Sequence, residues 1–286
     1  MSLAFVSLLV LLTGALSGVI LSGVIHWRSG GRALRVRLAA ARRPLPGAGF
    51  DARELEALPA PVRRYLGLVL RPGQPLIAAV DLVQTGEFNL NEADGNWRPF
   101  AATQCVTTSR PGFDWEARVR VFPCVSVRVH DAYAAGEGVL HAAVLGWFSL
   151  ARVRGAGEIA RGELMRFFAE AAWYPTAFLP SQGVRWEAMD EHSARGTLRD
   201  GDIEVAMFFR FGADGMLDTI RAEARGRAAG GKTTAMPWQC RVWNYTERDG
   251  MRVPLEGEAA WIFPEGVKPY WRGKITSLAY EFAPAG

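Results

Sequence analysis

ELMRFFAEAAWYPTAFLP, residues Glu163 to Pro180, is the stretch whose reading decides the fold. At about 100° per residue, Leu164, Met165, Phe167, Phe168, Ala169, Ala171, Ala172 and Tyr174 sweep well over half of a helix circumference. Glu163, Arg166 and Glu170 share one narrow polar strip. A helix this apolar has to be wrapped on most sides. The rest of the chain beyond residue 50 supplies strand-like patterns and little else, so the wrapping layer is a curved sheet. Gly162 serves as N-cap, Glu163 places a carboxylate at the positive end, and Pro175 and Pro180 stop the helix, which is expected over Glu163–Leu179.

Outward from this stretch, the hydrophobic period is two. Phe113, Trp115, Ala117, Val119 and Val121 alternate with Asp114, Glu116, Arg118 and Arg120, and Val125, Val127 and Val129 alternate with Ser126, Arg128 and His130. Ile203–Phe211, Ile220–Arg227 and Leu278–Phe282 repeat the pattern. Asp94-Gly95, Asp200-Gly201, Asp214-Gly215 and Asp249-Gly250 each separate two such runs, which is a hairpin signature. The fold class that follows is mainly β. It is a large curved antiparallel sheet of about ten strands, an open half-barrel around one central apolar helix. Phe50–Leu70, divided by Pro59 and Pro61, reads as one or two short amphipathic helices with Leu55, Leu58, Val62, Tyr65 and Leu66 on one face.

The N-terminus is of another kind. Leu3–Ile25 is almost unbroken apolar sequence, long enough to cross a bilayer, with neither the charged leader nor the shorter apolar core of a signal peptide. Residues 26–43 then carry six arginines (28, 32, 35, 37, 42 and 43) and no acid. These exceed the net +4 of the whole chain and leave residues 44–286 at −2. The basic character therefore belongs to one segment, and the β-rich part offers no footprint for nucleic acid. The expected organisation is a transmembrane helix over 1–25, a basic juxtamembrane segment and linker over 26–49, and one β-rich domain over 50–286. Arginines only on the C-terminal side place that domain on the cytoplasmic face of a bacterial inner membrane, with the periplasmic face as the alternative. Gly14, Gly18 and Ser22 form a small-residue ladder that would suit a homodimer seam.

Catalytic motifs fail on context. Gly226–Thr233 (GRAAGGKT) satisfies the P-loop spacing, but Pro237 and a strand-like run follow where a phosphate-binding helix is required. The four histidines have no metal-ligand spacing, and His130-Asp131 reads as an outward polar strand position. Glu256 and Glu258 share a strand face without the context of a paired-acid site. Cys105, Cys124 and Cys240 read as buried thiols. No cofactor, metal or catalytic residue is expected. The abundance of aromatics beside one central helix favours instead a hydrophobic cleft, with Arg166 and Glu170 as its polar lip and Phe167, Trp173, Tyr174, Trp186 and Trp238 as its lining.

The segment GELMRFFAEAAWYPTAFLP, with LPAPVRRYL (58–66), WRPFAATQ (97–104), PGFDWEARV (111–119) and MPWQCRVWNY (236–245), resembles a bacterial family whose members carry one N-terminal membrane helix followed by a domain of unknown function. The resemblance covers about residues 50–282 and implies no activity or substrate. The sheet-with-helix arrangement also looks like the half-barrel of lipoprotein-carrier proteins, which hold acyl chains. The leading expectation is a membrane-anchored, non-catalytic module binding a lipid or other apolar ligand. An interaction protein with a filled core is the alternative, and an enzyme of unnamed reaction the third.

Overall fold

The computed structural model describes residues 3–45, 49–90, 95–123, 125–229 and 232–284. At 3, 4, 6, 8, 9, 12, 15, 16, 20, 228, 229 and 232 it describes the backbone alone. Three α-helices are described: α1 (Leu3–Ala41), α2 (Ala60–Val69) and α3 (Glu158–Glu170). Between α2 and α3 run β1 (Ile77–Asn89), β2 (Trp97–Thr107), β3 (Gly112–Phe122), β4 (Val125–Ala134), β5 (Glu137–Val144) and β6 (Phe148–Gly155). After α3 come β7 (Arg185–Asp190), β8 (Ser193–Asp200), β9 (Ile203–Phe211), β10 (Leu217–Ala229), β11 (Lys232–Arg248), β12 (Met251–Phe263) and β13 (Gly266–Phe282).

The strands form one antiparallel sheet in the order β6-β5-β4-β3-β2-β1-β13-β12-β11-β10-β9-β8-β7. The class expected from sequence is therefore observed, with thirteen strands where about ten were counted. Two six- and seven-stranded meanders meet where the first strand pairs with the last. Ile77 lies opposite Phe282 and Phe88 opposite Trp271. At that junction Gly86, Gly273 and Gly257 stand side by side on β1, β13 and β12. A Cβ on Gly86 would strike the backbone of Arg272, and one on Gly273 would strike the ring of Trp271. Glycine here lets the strands approach and bend, and the Trp271 ring covers the surface that the missing side chains leave bare.

The central helix differs at both ends from the sequence expectation. It begins at Glu158, after Gly157, because Ala160 is fully buried and its turn rests on β5 at Gly138, where a Cβ would lie 2.7 Å from Ala160 N. The α-helix ends at Glu170. Pro175 cannot donate to a carbonyl four residues back and restricts Tyr174, so the chain continues as three 3₁₀ turns over Ala171–Trp173, Pro175–Phe178 and Pro180–Gln182. Their aromatics complete the core. Phe168, Phe178, Trp186 and Phe209 pack with ring centroids 4.8 to 6.3 Å apart, around a position on β8 that only Gly196 could occupy. Val62, Tyr65 and Leu66 of α2 join this core as their spacing predicts.

Helix α1 departs most from expectation. It runs as one helix of 39 residues through most of the segment read as juxtamembrane and linker. Its second half lies on the convex face of the sheet, from Gly23 against Leu145 to Leu38 against Gly112. Trp27 Nε1 donates to Glu116 at 3.0 Å and its ring stacks on His130 at 4.6 Å. Arg35 pairs with Asp114 at 3.3 Å, Arg37 with Glu137 at 2.8 Å, and Arg42 with Glu281. Asp114 and His130, expected to face water, are consequently buried and bonded to each other at 3.0 Å. Among the described residues no helix is long and apolar enough to cross a membrane, so a spanning helix over Leu3–Ile25 is not supported. Every described side chain from Phe5 to Ser22 is nonetheless exposed.

The phosphate-loop spacing lies in the β10–β11 hairpin, paired in register out to Ala229 and Lys232. A strand follows it, not a helix; Gly230 and Gly231 lie outside the described residues. Asp94 of the first hairpin signature and Cys124 lie outside them too. Cys105 and Cys240 are free thiols, and burial pushes both above the usual thiol range.

Candidate functional site

The concave face of β1, β3, β4 and β10–β13 does not close completely onto α3. A cavity of about 90 Å³ remains, lined by Phe88, Trp115, Trp173, Trp238, Tyr270 and Trp271, by Ala169, Val242 and Ala259, and by Asp131, Arg166, Glu170 and Arg225. It has room for several waters, since one needs only roughly 10–15 Å³, and it is small beside the roughly 300–1,000 Å³ of pockets that enclose drug-sized ligands. Apolar rings make most of the wall; Arg241 and Glu258 also reach it, and the other charges form one cluster.

That cluster is a network. Arg166 Nε donates to Glu170 at 2.7 Å and Nη1 to Asp131 at 2.9 Å. The guanidinium lies over Trp115 and Phe113 at 4.8 and 4.9 Å from the ring centres. Gln104 Nε2 donates to the other oxygen of Glu170 at 2.6 Å. Arg225 Nε donates to the Gly162 carbonyl at 3.1 Å, and its guanidinium stacks 4.8 Å from Trp238. Tyr270 Oη accepts from both Trp238 Nε1 and Arg225 Nη1. Glu163, placed on the same helix strip as Arg166, turns instead toward Arg225 at 3.7 Å.

Three carboxyl groups thus face two guanidinium groups. Burial, and then the neighbouring Asp131 carboxylate, push Glu163 up to about 8, against the opposing pull of Arg225 and Arg166. Burial raises Asp131 as well. Both arginines are held charged by the acids around them. With the proton retained on Glu163 near neutral pH, the network carries no net charge. The charge of Arg166 is matched by Asp131 at 2.9 Å and Glu170 at 2.7 Å. Glu163 Oε2, Asp131 Oδ1, Gln104 Oε1 and Trp173 Nε1 are buried without a hydrogen-bond partner among the described residues.

Of the residues expected from sequence, Arg166, Glu170, Trp173 and Trp238 come together on this cavity. Phe167 and Tyr174 pack against each other at 5.4 Å, with Tyr174 Oη donating to the Phe167 carbonyl, and do not line it. Trp186 belongs to the aromatic core behind α3, its Nε1 donating to the Phe178 carbonyl. His130 and Asp131, adjacent in β4, point to opposite faces; the histidine meets α1 and the aspartate meets Arg166. Glu256 bonds Trp243 and Asn244, while Glu258 pairs with Arg272. In the small-residue ladder, Gly14 and Gly18 face open space, whereas Ser22 Oγ accepts from Trp147 Nε1 at 3.2 Å. Sequence reasoning missed Asp131 and Gln104, although both interrupt the inward, apolar parity of their strands. Arg225 had no such signal, because a bulge between Ala222 and Arg225 turns an outward position inward.

Among curated proteins no match is found. Two solved structures are similar in part. A LolA superfamily protein from Nitrosomonas europaea is 9% identical with a TM-score of 0.40, covering 82% of this chain and 96% of its own. A beta-barrel-like protein of domain of unknown function DUF1849 from Brucella abortus is 11% identical with a TM-score of 0.22, covering 73% of this chain and 100% of its own. The family model of DUF6920, a family of unknown function, matches residues 56–280, and the chain belongs to that family.

Proposed function

We propose that the domain binds an apolar chain bearing an uncharged polar end, in the cleft between α3 and the concave sheet. The observation that carries this reading is the pairing of an incompletely filled aromatic cleft with unpartnered polar atoms. Trp173 offers an N–H and Asp131 an oxygen, and a hydroxyl or a protonated acid satisfies both kinds. A net-neutral network gives an anion no electrostatic advantage. The small volume means that a ligand must displace a ring, with Trp271, seated over glycines, the most readily moved.

The test is uptake of a fluorescent long-chain alcohol by the purified full chain, with mass spectrometry of what co-purifies. Stoichiometric uptake is expected, weakened about tenfold or more by Trp173→Ala, since a buried ring and its donor together contribute over about 1.4 kcal/mol. Ala259→Leu, which fills the cleft, should abolish it with the fold retained by circular dichroism. Saturating uptake that neither variant affects, or none at all, would overturn the reading and favour an interaction module with a filled core.

The same proposal holds the protein at a membrane by the undocked half of α1, where Val10, Leu11 and Leu21 are more than half exposed. We place the sheet on the cytoplasmic side. Arg35, Arg37 and Arg42 have partners on the sheet, so the exposed Arg28 and Arg32 carry most of the remaining positive signal. A reporter fused after the sheet should be active only in its cytoplasmic form; activity only of an exported reporter would reverse the placement.

A further inference from the structure

The β1–β2, β3–β4, β5–β6 and β12–β13 turns fall at the same strand ends of the antiparallel meander. Of the two other turns on that side by topology, β8–β9 is carried away by the sheet's curvature to meet the β2–β3 turn through Asp200 and Arg110 at 2.9 Å, and the tip of β10–β11 lies outside the described residues. Each of the first four presents an exposed apolar side chain: Leu90, Phe122, Phe148 and Val267, between 47 and 65% accessible. The β5–β6 turn adds Trp147 and Leu150. At the opposite end the β2–β3, β4–β5 and β11–β12 turns carry no exposed large apolar residue among the described residues, and the β7–β8 turn carries Met189 alone. Four hairpin tips of one polarity are not a matter of incidental surface leucines.

Helix α1 leaves the sheet at this same end. It passes the β5–β6 turn at Gly23 and reaches Gly112, at the other end, with Leu38. Trp147 is tied to the exit point: it stacks on His26 at 4.5 Å with planes 7° apart, and its Nε1 donates to Ser22. From Leu3 to Ser22 the helix then projects about 30 Å at about 1.5 Å per residue, with all its described side chains exposed. Exposed arginines stand just behind the tips: Arg120 two residues before Phe122, Arg152 two after Leu150, and Arg28 on α1. The acid of the β12–β13 turn, Glu265, is paired with Lys268 at 2.7 Å. An apolar tip layer backed by cations matches the layering of an anionic bilayer surface.

We infer that this end of the sheet is a membrane-facing surface, whose hairpin tips enter the headgroup region of an anionic bilayer around the exit of α1. The inference rests on the membrane attachment proposed above and adds the orientation of the domain. Phe88, Tyr270 and Trp271, which line the cleft, lie toward this same end, so an apolar ligand would have a short path between bilayer and cleft.

The experiment uses the full chain and vesicles of equal parts phosphatidylcholine and phosphatidylglycerol with brominated acyl chains. Flotation reads attachment, and tryptophan quenching reads the surface. Phe148→Trp adds an indole at a tip and Leu68→Trp adds one on α2, near the opposite end. Insertion roughly 5–10 Å into the headgroup–acyl boundary should quench about half or more of the emission added at 148 and leave that at 68 unchanged. Flotation with neither position quenched, or both quenched alike, would overturn the membrane-facing surface while leaving attachment intact. Failure of the wild-type chain to float would overturn attachment and surface together.

Discussion

At the scale of single residues, the strongest constraint is the proton on Glu163. Its carboxyl is raised from 4.5 to about 8 in the folded chain, so the folded state holds a proton that the unfolded state has released. Stability from this group is complete below about pH 4.5 and falls as pH rises to about 8. Urea midpoints measured across that window should decline in the wild type, and Glu163→Gln should flatten the decline. An equally steep decline in the variant would show that Glu163 is ionised throughout. The glutamine keeps a donor for Glu163's unpartnered site and removes the negative charge that makes three acids face two arginines. Sequence periodicity put Glu163 on the right helix strip but could not reveal its partner, because Arg225 arrives from a strand 62 positions later and through a bulge.

At the scale of elements, α1 and the turns mark what the sequence could and could not convey. Alternation in β3 and β4 identified the inward face correctly, yet it assigned Asp114 and His130 to solvent. Nothing local distinguishes a polar face open to water from one awaiting a helix; only the complementary Trp27, Arg35 and Arg37, about 80 to 100 positions away, decide it. Likewise Asp-Gly pairs marked three described hairpins, while Ala135-Gly136 and Leu145-Gly146 adopt the pair of positive φ angles found at Asp249-Gly250 without the aspartate that would announce them. The strap is testable. A side chain at Gly31 meets His130 Cε1 at 3.1 Å even as a bare Cβ, so Gly31→Leu should lift α1 away without unfolding the sheet. Amide exchange in residues 23–41 should then rise by an order of magnitude or more, as for a helix released to local opening; unchanged protection there would show that α1 holds without that contact.

At the scale of the molecule, the sheet has two free edges and one seam. Arg152 and Arg154 on β6, and Glu187 and Asp190 on β7, keep the edges charged against pairing with other chains. The seam is different, for it joins the first strand to the last, with the glycine row at its centre. A protein leaves the ribosome from its N-terminus, and domains fold as they emerge. Here β1 finds one neighbour at once in β2, but its other neighbour, β13, is the last strand made, and β12 waits for the same partner. Until Phe282 has cleared the exit tunnel, two half-built meanders each present an unpaired central strand. The seam cannot form before β13 has emerged, and a chain that stalls short of this seventeen-residue strand is left with sticky edges in the middle of what should have been its sheet.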